Sequence, residues 1–348
     1  MPVGTKNMQK INTCILAIES SCDDTSCAVL LNDRVLSNVT AGQAIHAQYG
    51  GVVPELASRD HQKNIIPVIH AALKNAGKQL QDIDAIAVTR GPGLMGSLLV
   101  GLSVAKSLSL ALAKPLIEVN HMQGHILAHF IHAANTDVPS FPFLCLTVSG
   151  GHTQLVVVKD HLDFEIVGQT IDDAVGEAFD KAAKIMGLPY PGGPLIDQYA
   201  KEGDSKRFVF AATKVPGLDY SFSGIKTSFL YFINREVQKD SDFISKNLQD
   251  ICASYQMHLI NVLLKNARRV LNEQGFRYFA IAGGVSANSQ LRKSVEELGV
   301  ELGVKTFIPK FEYCTDNAAM IGITAYYKYL NGEFSDLSLT PATGLGIS

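Results

Sequence analysis

A chain of 348 residues is too long for one ordinary hydrophobic core and suits two domains of common size. Hydrophobic residues make up 47% and charged residues 18%, which excludes a disordered chain, and no apolar stretch runs uninterrupted for the roughly 18 residues a membrane helix needs. No plain basic stripe accompanies the net charge of −3, so any RNA contact is expected to be local or shared with a partner.

Residues 1–11 read as a polar leader without an apolar signal core. From Ile15 the chain reads as strands ILAIES, SCAVLLND and RVLSNVT, with a small polar turn, SCDDT, after the first. IDAIAVT (83–89) and KPLIEV (114–119) each precede a helix. FLCLTV, from Phe143, starts the pattern again, with the turn SGGHT and then QLVVVKD and FEIVGQT. RYFAIA (277–282) and VKTFIP (304–309) each lead into a helix. A repeat spacing near 130 residues is far too long for a solenoid. It describes a duplicated α/β fold, two mixed β-sheets flanked by helices, with the site in the cleft between the halves. The expected divisions are a leader at 1–11, a first half at 12–138, a second half at 139–322, and a closing helix and tail at 323–348 that returns toward the first half. Six scattered cysteines with no CxxC pair argue against a disulfide framework or a cysteine-rich zinc site and point to a reducing compartment, the cytoplasm.

This arrangement resembles the actin, Hsp70 and sugar-kinase (ASKHA) superfamily, in which two polar turns grip phosphates from opposite sides and a later glycine turn meets the adenine. The matching segments are Ser20–Thr25, Ser149–Thr153 and Ala282–Asn288. A missing Cβ lets backbone N–H groups approach a phosphate or a flat base, although each glycine pair would equally well close a tight turn. Gly91, Gly93 and Gly96 in GPGLMG spell a dinucleotide fingerprint, with Glu118 near the position of a ribose acid. The motif follows the fourth strand instead of opening the unit, and Pro92 removes a donor. Glycines closing a turn before a small-residue helix at 96–113 explain it as well.

The strongest chemical signal is His121-Met-Gln-Gly-His125, with Asn120 placed to cap a helix. Residues four apart share a helix face, so both imidazoles can hold one ion. His129 continues that face, but His121 and His129 lie about 12 Å apart along the axis and cannot share an ion. The first pair sits nearest the carboxyl end of a strand, where α/β sites open. Met122 occupies the position at which a zinc protease needs glutamate, so water activation by that route is excluded. Asp316, in CTDNAAMIG, is the candidate third ligand from the other half, although Asp at a helix start is also a common cap. Glu177/Lys181 and Asp180/Lys184 have the spacing of surface ion pairs.

The stretches LAIESSCDDT, GGVVPELASRDH, TRGPGLMGSLLVG, NHMQGH, VSGGHTQL, DDAVGEAFDK, YPGGP, SFSGIKT, AGGVSAN and CTDNAAMIG occur together and in order. They resemble the bacterial TsaD family, tRNA adenosine threonylcarbamoyltransferases once labelled O-sialoglycoprotein endopeptidases, from Ile15 to about Leu345. The resemblance implies a metal at His121, His125 and Asp316, usually described as iron, with zinc chemically compatible. It implies a substrate turn at Thr147, Val148, Ser149, Gly150 and Gly151. Asp180, Gly193, Asp197 and Asn288 would hold the nucleotide part of threonylcarbamoyl-AMP. The implied reaction transfers the threonylcarbamoyl group to the N6 amine of the adenosine 3′ of the anticodon in tRNAs reading codons that begin with A. The implied partners are tRNA, a TsaB-like paralogue docking on helices at 53–76, and a small TsaE-like ATPase; a homodimer is left open, and no membrane is implied. Gln123 stands where many relatives have glutamate, a difference expected to matter little, and Thr147 where archaeal relatives carry a tyrosine near the metal.

The mixed anhydride already carries its leaving group, so the enzyme need only position it, offset phosphate charge and present the amine. No covalent intermediate is required, and no Ser–His or Cys–His pair stands out. Lys214 and Lys226 are candidates for RNA phosphate or plain exposed lysines. An ASKHA small-molecule kinase would leave the histidine pair idle, a metallopeptidase would lack its base, and a silent scaffold would bind nucleotide without turnover.

Overall fold

The computed structural model describes residues 12–132, 137–211 and 215–347; the expected leader and Lys214 lie outside them. Strand β1 (Cys14–Glu19) is buried at every position, as a near-continuous apolar run covered on both faces must be. It pairs antiparallel with β2 (Thr25–Leu31), which pairs antiparallel with β3 (Arg34–Ala41). On its other side it pairs parallel with β4 (Ala85–Gly91), which pairs parallel with β5 (Leu116–Asn120). The second sheet repeats the plan. Its centre β6 (Phe143–Val148) meets β7 (Thr153–Asp160) antiparallel, and β7 meets β8 (Asp163–Gln169) antiparallel. On the other side β6 runs parallel to β9 (Tyr278–Ala282), and β9 to β10 (Lys305–Phe307). The orders β3-β2-β1-β4-β5 and β8-β7-β6-β9-β10 are the same topology twice.

Helices α1 (Pro54–Ala76) and α2 (Met95–Leu112) cover the outer face of the first sheet, burying Ile65, Ile69, Leu102 and Ala105 against Leu16, Ile18 and Val29. Pro54 suits the first turn of α1, and Gly77 at φ +62° ends it. By length and composition α2 could cross a membrane, which qualifies the sequence reading. Here Lys106 and several serines interrupt its apolar run, and its Leu98, Leu102 and Ala105 face is buried. Between the sheets lie α3 (His121–Leu127) and α9 (Ala318–Leu330), whose Met122, Ile126, Ile321 and Ile323 join Ala17, Ala28, Cys145 and Ala280 from the two inner faces. The outer side of the second sheet carries α4 (Val175–Ile185), α5 (Gly192–Ala200), α6 (Ser223–Lys239), α7 (Phe243–Gln274) and α8 (Ser289–Leu302). The result is five layers, helix on sheet on helix on sheet on helix.

The duplication brings the turn after β1 and the turn after β6 to the same region of the cleft. Gly283, after β9, has φ +88°, and a Cβ there would stand 2.4 Å from the Val148 carbonyl oxygen. Gly283→Ala is therefore expected to cost about 1–3 kcal/mol from backbone strain alone, measured by urea denaturation of the two proteins.

Candidate metal centre and ligand cavity

Asn120 ends β5 and caps α3, its Oδ1 accepting from the N–H groups of Met122 (2.8 Å) and Gln123 (3.3 Å). That start places His121 and His125 on one face of a buried helix. Across the cleft, Asn317 caps α9, its Oδ1 accepting from Met320 N at 3.0 Å. The cap role weighed for Asp316 thus belongs to its neighbour, and Asp316 turns toward the histidines. Its Oδ1 lies 3.3 Å from His121 Nε2 and 3.3 Å from His125 Nε2, and one ligand atom from each residue falls within 4.8 Å of the others. Among the described residues, neither nitrogen of buried His125 makes a regular hydrogen bond, and Nε2 has only its 3.3 Å contact with Asp316 Oδ1. A buried imidazole whose Nε2 meets only a carboxylate oxygen, and that at this spacing, fits a divalent ion, because bonds near 2.1 Å place neighbouring donors about 3–3.5 Å apart.

Sequence reasoning missed Glu19. This carboxylate, fully buried at the end of β1, meets His121 Nδ1 at 3.1 Å and accepts from Ser21 N and the Thr89 hydroxyl, both at 2.5 Å. Its signal was an acid inside an otherwise apolar strand. It fixes the ring so that Nε2 faces Asp316, the arrangement in which an outer carboxylate orients a ligating histidine. Burial opposes charge on all three groups, but their mutual attraction prevails: Glu19 and Asp316 are held below the usual carboxylate range and His121 well above the usual imidazole range. Burial lowers His125. Two carboxylates around one buried site call for positive charge there.

A Ser–His contact does exist, contrary to the sequence reading: Ser21 Oγ lies 3.1 Å from His121 Nδ1. Nδ1 also faces the Glu19 carboxylate, and the proton given to that acceptor leaves no lone pair to activate the serine. His129 leaves the face, sitting in a turn after α3 with Nε2 2.9 Å from the Ile281 carbonyl; burial pushes it down to about 4.

His121 and Asp316 open on a cavity of about 940 Å³ lined from both halves, with His125 buried behind them. Ser149, Gly150, Gly151, Asp180, Gly193, Asp197 and Asn288 are on its wall, and Thr147 and Val148 are not: both are buried at the end of β6. The Ser149 N–H is used within the turn, on His152 O at 2.8 Å, whereas Gly150 and Gly151 face open space. Asp180 accepts from Gly192 N (2.8 Å) and Gly193 N (3.2 Å), holding the start of α5 instead of pairing with Lys184; Glu177 does pair with Lys181. Asp197 accepts from Ser289 N and Oγ, and Asn288 caps α8 through Leu291 N while donating to Gln256 Oε1 at 2.6 Å. His152, quoted in SGGHT but not weighed, lines the cavity; burial, with His121 and His125 adding, pushes it down to about 4, so its imidazole is neutral at pH 7. Glu118 is engaged by Arg90 at 2.8 Å, and Lys226 by Asp173 at 3.1 Å.

Asp24, also on the cavity wall, is pushed up to about 7, first by burial and then by Asp316, Asp23 and Glu19. A carboxyl raised on folding binds its proton more tightly in the native state, so metal-free stability should fall as pH rises from about 4 to 7, by about 1.4 kcal/mol per unit. Asp24→Asn should flatten that slope in denaturation curves taken across the range.

The profile of TsaD, tRNA N6-adenosine threonylcarbamoyltransferase, matches residues 34–323. The chain belongs to the TsaD family. The tRNA N6-adenosine threonylcarbamoyltransferase of Christiangramia forsetii is 61% identical over 332 residues, 95% of this chain and 97% of that one. Those of Porphyromonas gingivalis (56%; 94% and 96%) and Clostridium perfringens (49%; 95% and 97%) are similar over as much. TsaD membership makes the chain an acyltransferase with a divalent metal, and sets aside the small-molecule kinase. Among solved structures, a phosphate- and nucleotide-bound HypF aligns over 94% of this chain and 48% of its own, with TM-score 0.60 and 14% identity. The HypF of T. kodakarensis aligns with the same score over 50% of its length. That likeness shows the fold, which is the duplicated ASKHA architecture.

Proposed function

We propose that the chain transfers the threonylcarbamoyl group from threonylcarbamoyl-AMP to the N6 amine of the adenosine 3′ of the anticodon, in tRNAs reading codons that begin with A. The observation that carries this is the convergence of His121, His125 and Asp316, from both halves, beside a cavity that also holds a glycine turn. His121, His125 and Asp316 hold the metal, and a two-histidine, one-carboxylate donor set with open positions favours iron(II). When bound, the ion supplies positive charge to a phosphate or carbonyl oxygen of the anhydride. Gly150 and Gly151 present N–H groups to the same charge, with Thr147 and Val148 anchoring their turn in β6. Asp180 keeps Gly193 against the nucleotide, and Asp197 and Asn288 hold the start of α8 at the other end. The amine attacks the carbonyl carbon, AMP leaves with the electron pair of the broken C–O bond, and the nitrogen gives up one proton, which passes to solvent.

The expected division at 322/323 falls inside α9 (Ala318–Leu330), the helix that packs on the first sheet and is preceded by Asp316 and the Asn317 cap. A TsaB-like paralogue would dock on α1 and α2, whose Ile66, Met95, Leu99 and Leu110 form exposed apolar surface; a TsaE-like ATPase completes the set. Six free cysteines fit the cytoplasm. The test incubates the chain, with and without the partner proteins, with unmodified tRNA and preformed threonylcarbamoyl-AMP, followed by nucleoside analysis. Threonylcarbamoyladenosine is the expected product, and none with the full set would reject the reading. Metal analysis after anaerobic purification should return about one iron per chain, and Ile66→Asp should abolish co-elution with the paralogue. Self-association on that face is the competing outcome.

A further inference from the structure

Helix α3 has only seven residues, too few to hold a geometry by its own hydrogen bonds, so its position must come from what packs on it. Part of that packing is the segment 340–347, which runs from the carboxyl end of β4 over the cavity loop to the helix. Ala342 N donates to Arg90 O at 2.9 Å, and Gly93 N to Thr343 O at 3.3 Å. The Ala342 carbonyl lies so close over Gly91 that a Cβ there would stand 1.8 Å from its oxygen. The loop beneath continues to Ser21, because Leu94 N donates to Ser21 O at 2.7 Å, and Ser21 touches His121. Further along, the Asn120 side chain faces both ways. Its Oδ1 caps α3, and its Nδ2 donates to Gly346 O at 2.6 Å. One turn on, Gln123 Nε2 donates to Ile347 O at 2.7 Å, and the Ile347 side chain is buried in the core that holds Met122 and Ile126.

We infer that segment 340–347 is a strap that sets the position of the His121/His125 helix, with Asn120 and Gln123 as its positioning residues. The inference rests on the metal assignment made above. Gln123 thereby acquires a role the sequence reading denied it, since glutamate at that position could not donate to Ile347 O unless protonated. A small rotation of α3 would move both imidazoles relative to Asp316, which belongs to a different helix, and ions that bind at about 2.1 Å do not tolerate such a shift.

The experiment is an anaerobic cobalt(II) titration, read by its visible absorption, of the full chain and of three variants. Asn120→Asp keeps the cap and loses the donor to Gly346 O; removal of residues 344–348 takes away both carbonyls and the Ile347 anchor; His121→Ala removes a ligand. Asn120→Asp and the shortened chain are expected to weaken cobalt binding about 10–100-fold and to change the absorption envelope. Circular dichroism of the metal-free Asn120→Asp protein should stay that of the parent. Should the shortened chain fail to fold, Asn120→Asp decides alone. If His121→Ala loses cobalt while Asn120→Asp binds with parental affinity and spectrum, the strap inference is wrong. If His121→Ala itself binds as the parent does, the metal assignment fails and takes the strap with it.

Discussion

His121→Ala and Asp316→Ala are each expected to strip the metal and to lower transfer by about 10²–10³-fold, the scale on which losing a preorganised charge-stabilising group acts. The two residues come from different segments of the central layer, His121 from the helix after β5 and Asp316 from the residue before the Asn317 cap of α9. Two nearby groups are already engaged: His129 is tied to Ile281 O, and Glu19 is spent on Ser21, Thr89 and His121. Since Asp316 Oδ1 is 3.3 Å from both imidazoles, its removal also leaves His121 without the partner of Nε2. Single-turnover formation of threonylcarbamoyladenosine, with metal content measured on the same samples, checks this. A variant that keeps both full metal and the parental rate would refute the triad.

Glu19→Ala is expected to destabilise the metal-free protein by about 3–5 kcal/mol, the cost of leaving one member of a buried charge pair alone. The substitution orphans three donors at once, the Ser21 amide, the Thr89 hydroxyl and His121 Nδ1. Urea denaturation at neutral pH measures it. Because Glu19 and Asp316 are held below their unfolded values, their contribution is complete above the ordinary carboxylate range and is lost as pH falls through the depressed folded values. The gap between parent and variant should therefore close in acid. Glu19→Gln, which retains the shape, should instead appear as a metal affinity reduced about 10–100-fold, because the amide orients the imidazole less strongly. An unchanged affinity would reduce Glu19 to a stabilising group.

Much of this was legible in the residues. The strands of each half, taken along the chain, followed from apolar runs broken by short polar turns, because alternation and turn chemistry are local properties. The duplication was legible because the same local pattern returned after the helices. The pair His121 and His125 was legible because a helix fixes where residues four apart point. Asp316 stood as a candidate from its place at a helix start, but no local spacing tied it to the histidines, since its partners are nearly two hundred positions away.

The sequence by itself determined the two sheets, the helical histidine pair and the absence of a protease base, all consequences of short-range stereochemistry. Tertiary structure alone decided which side chains finish the centre. It released Asp316 by giving the cap to Asn317, buried Glu19 behind His121, withdrew Thr147 and Val148 from the cavity wall, and laid residues 340–347 across α3. Each of these depends on contacts between segments far apart in the chain, and periodicity and propensity carry no information about such contacts.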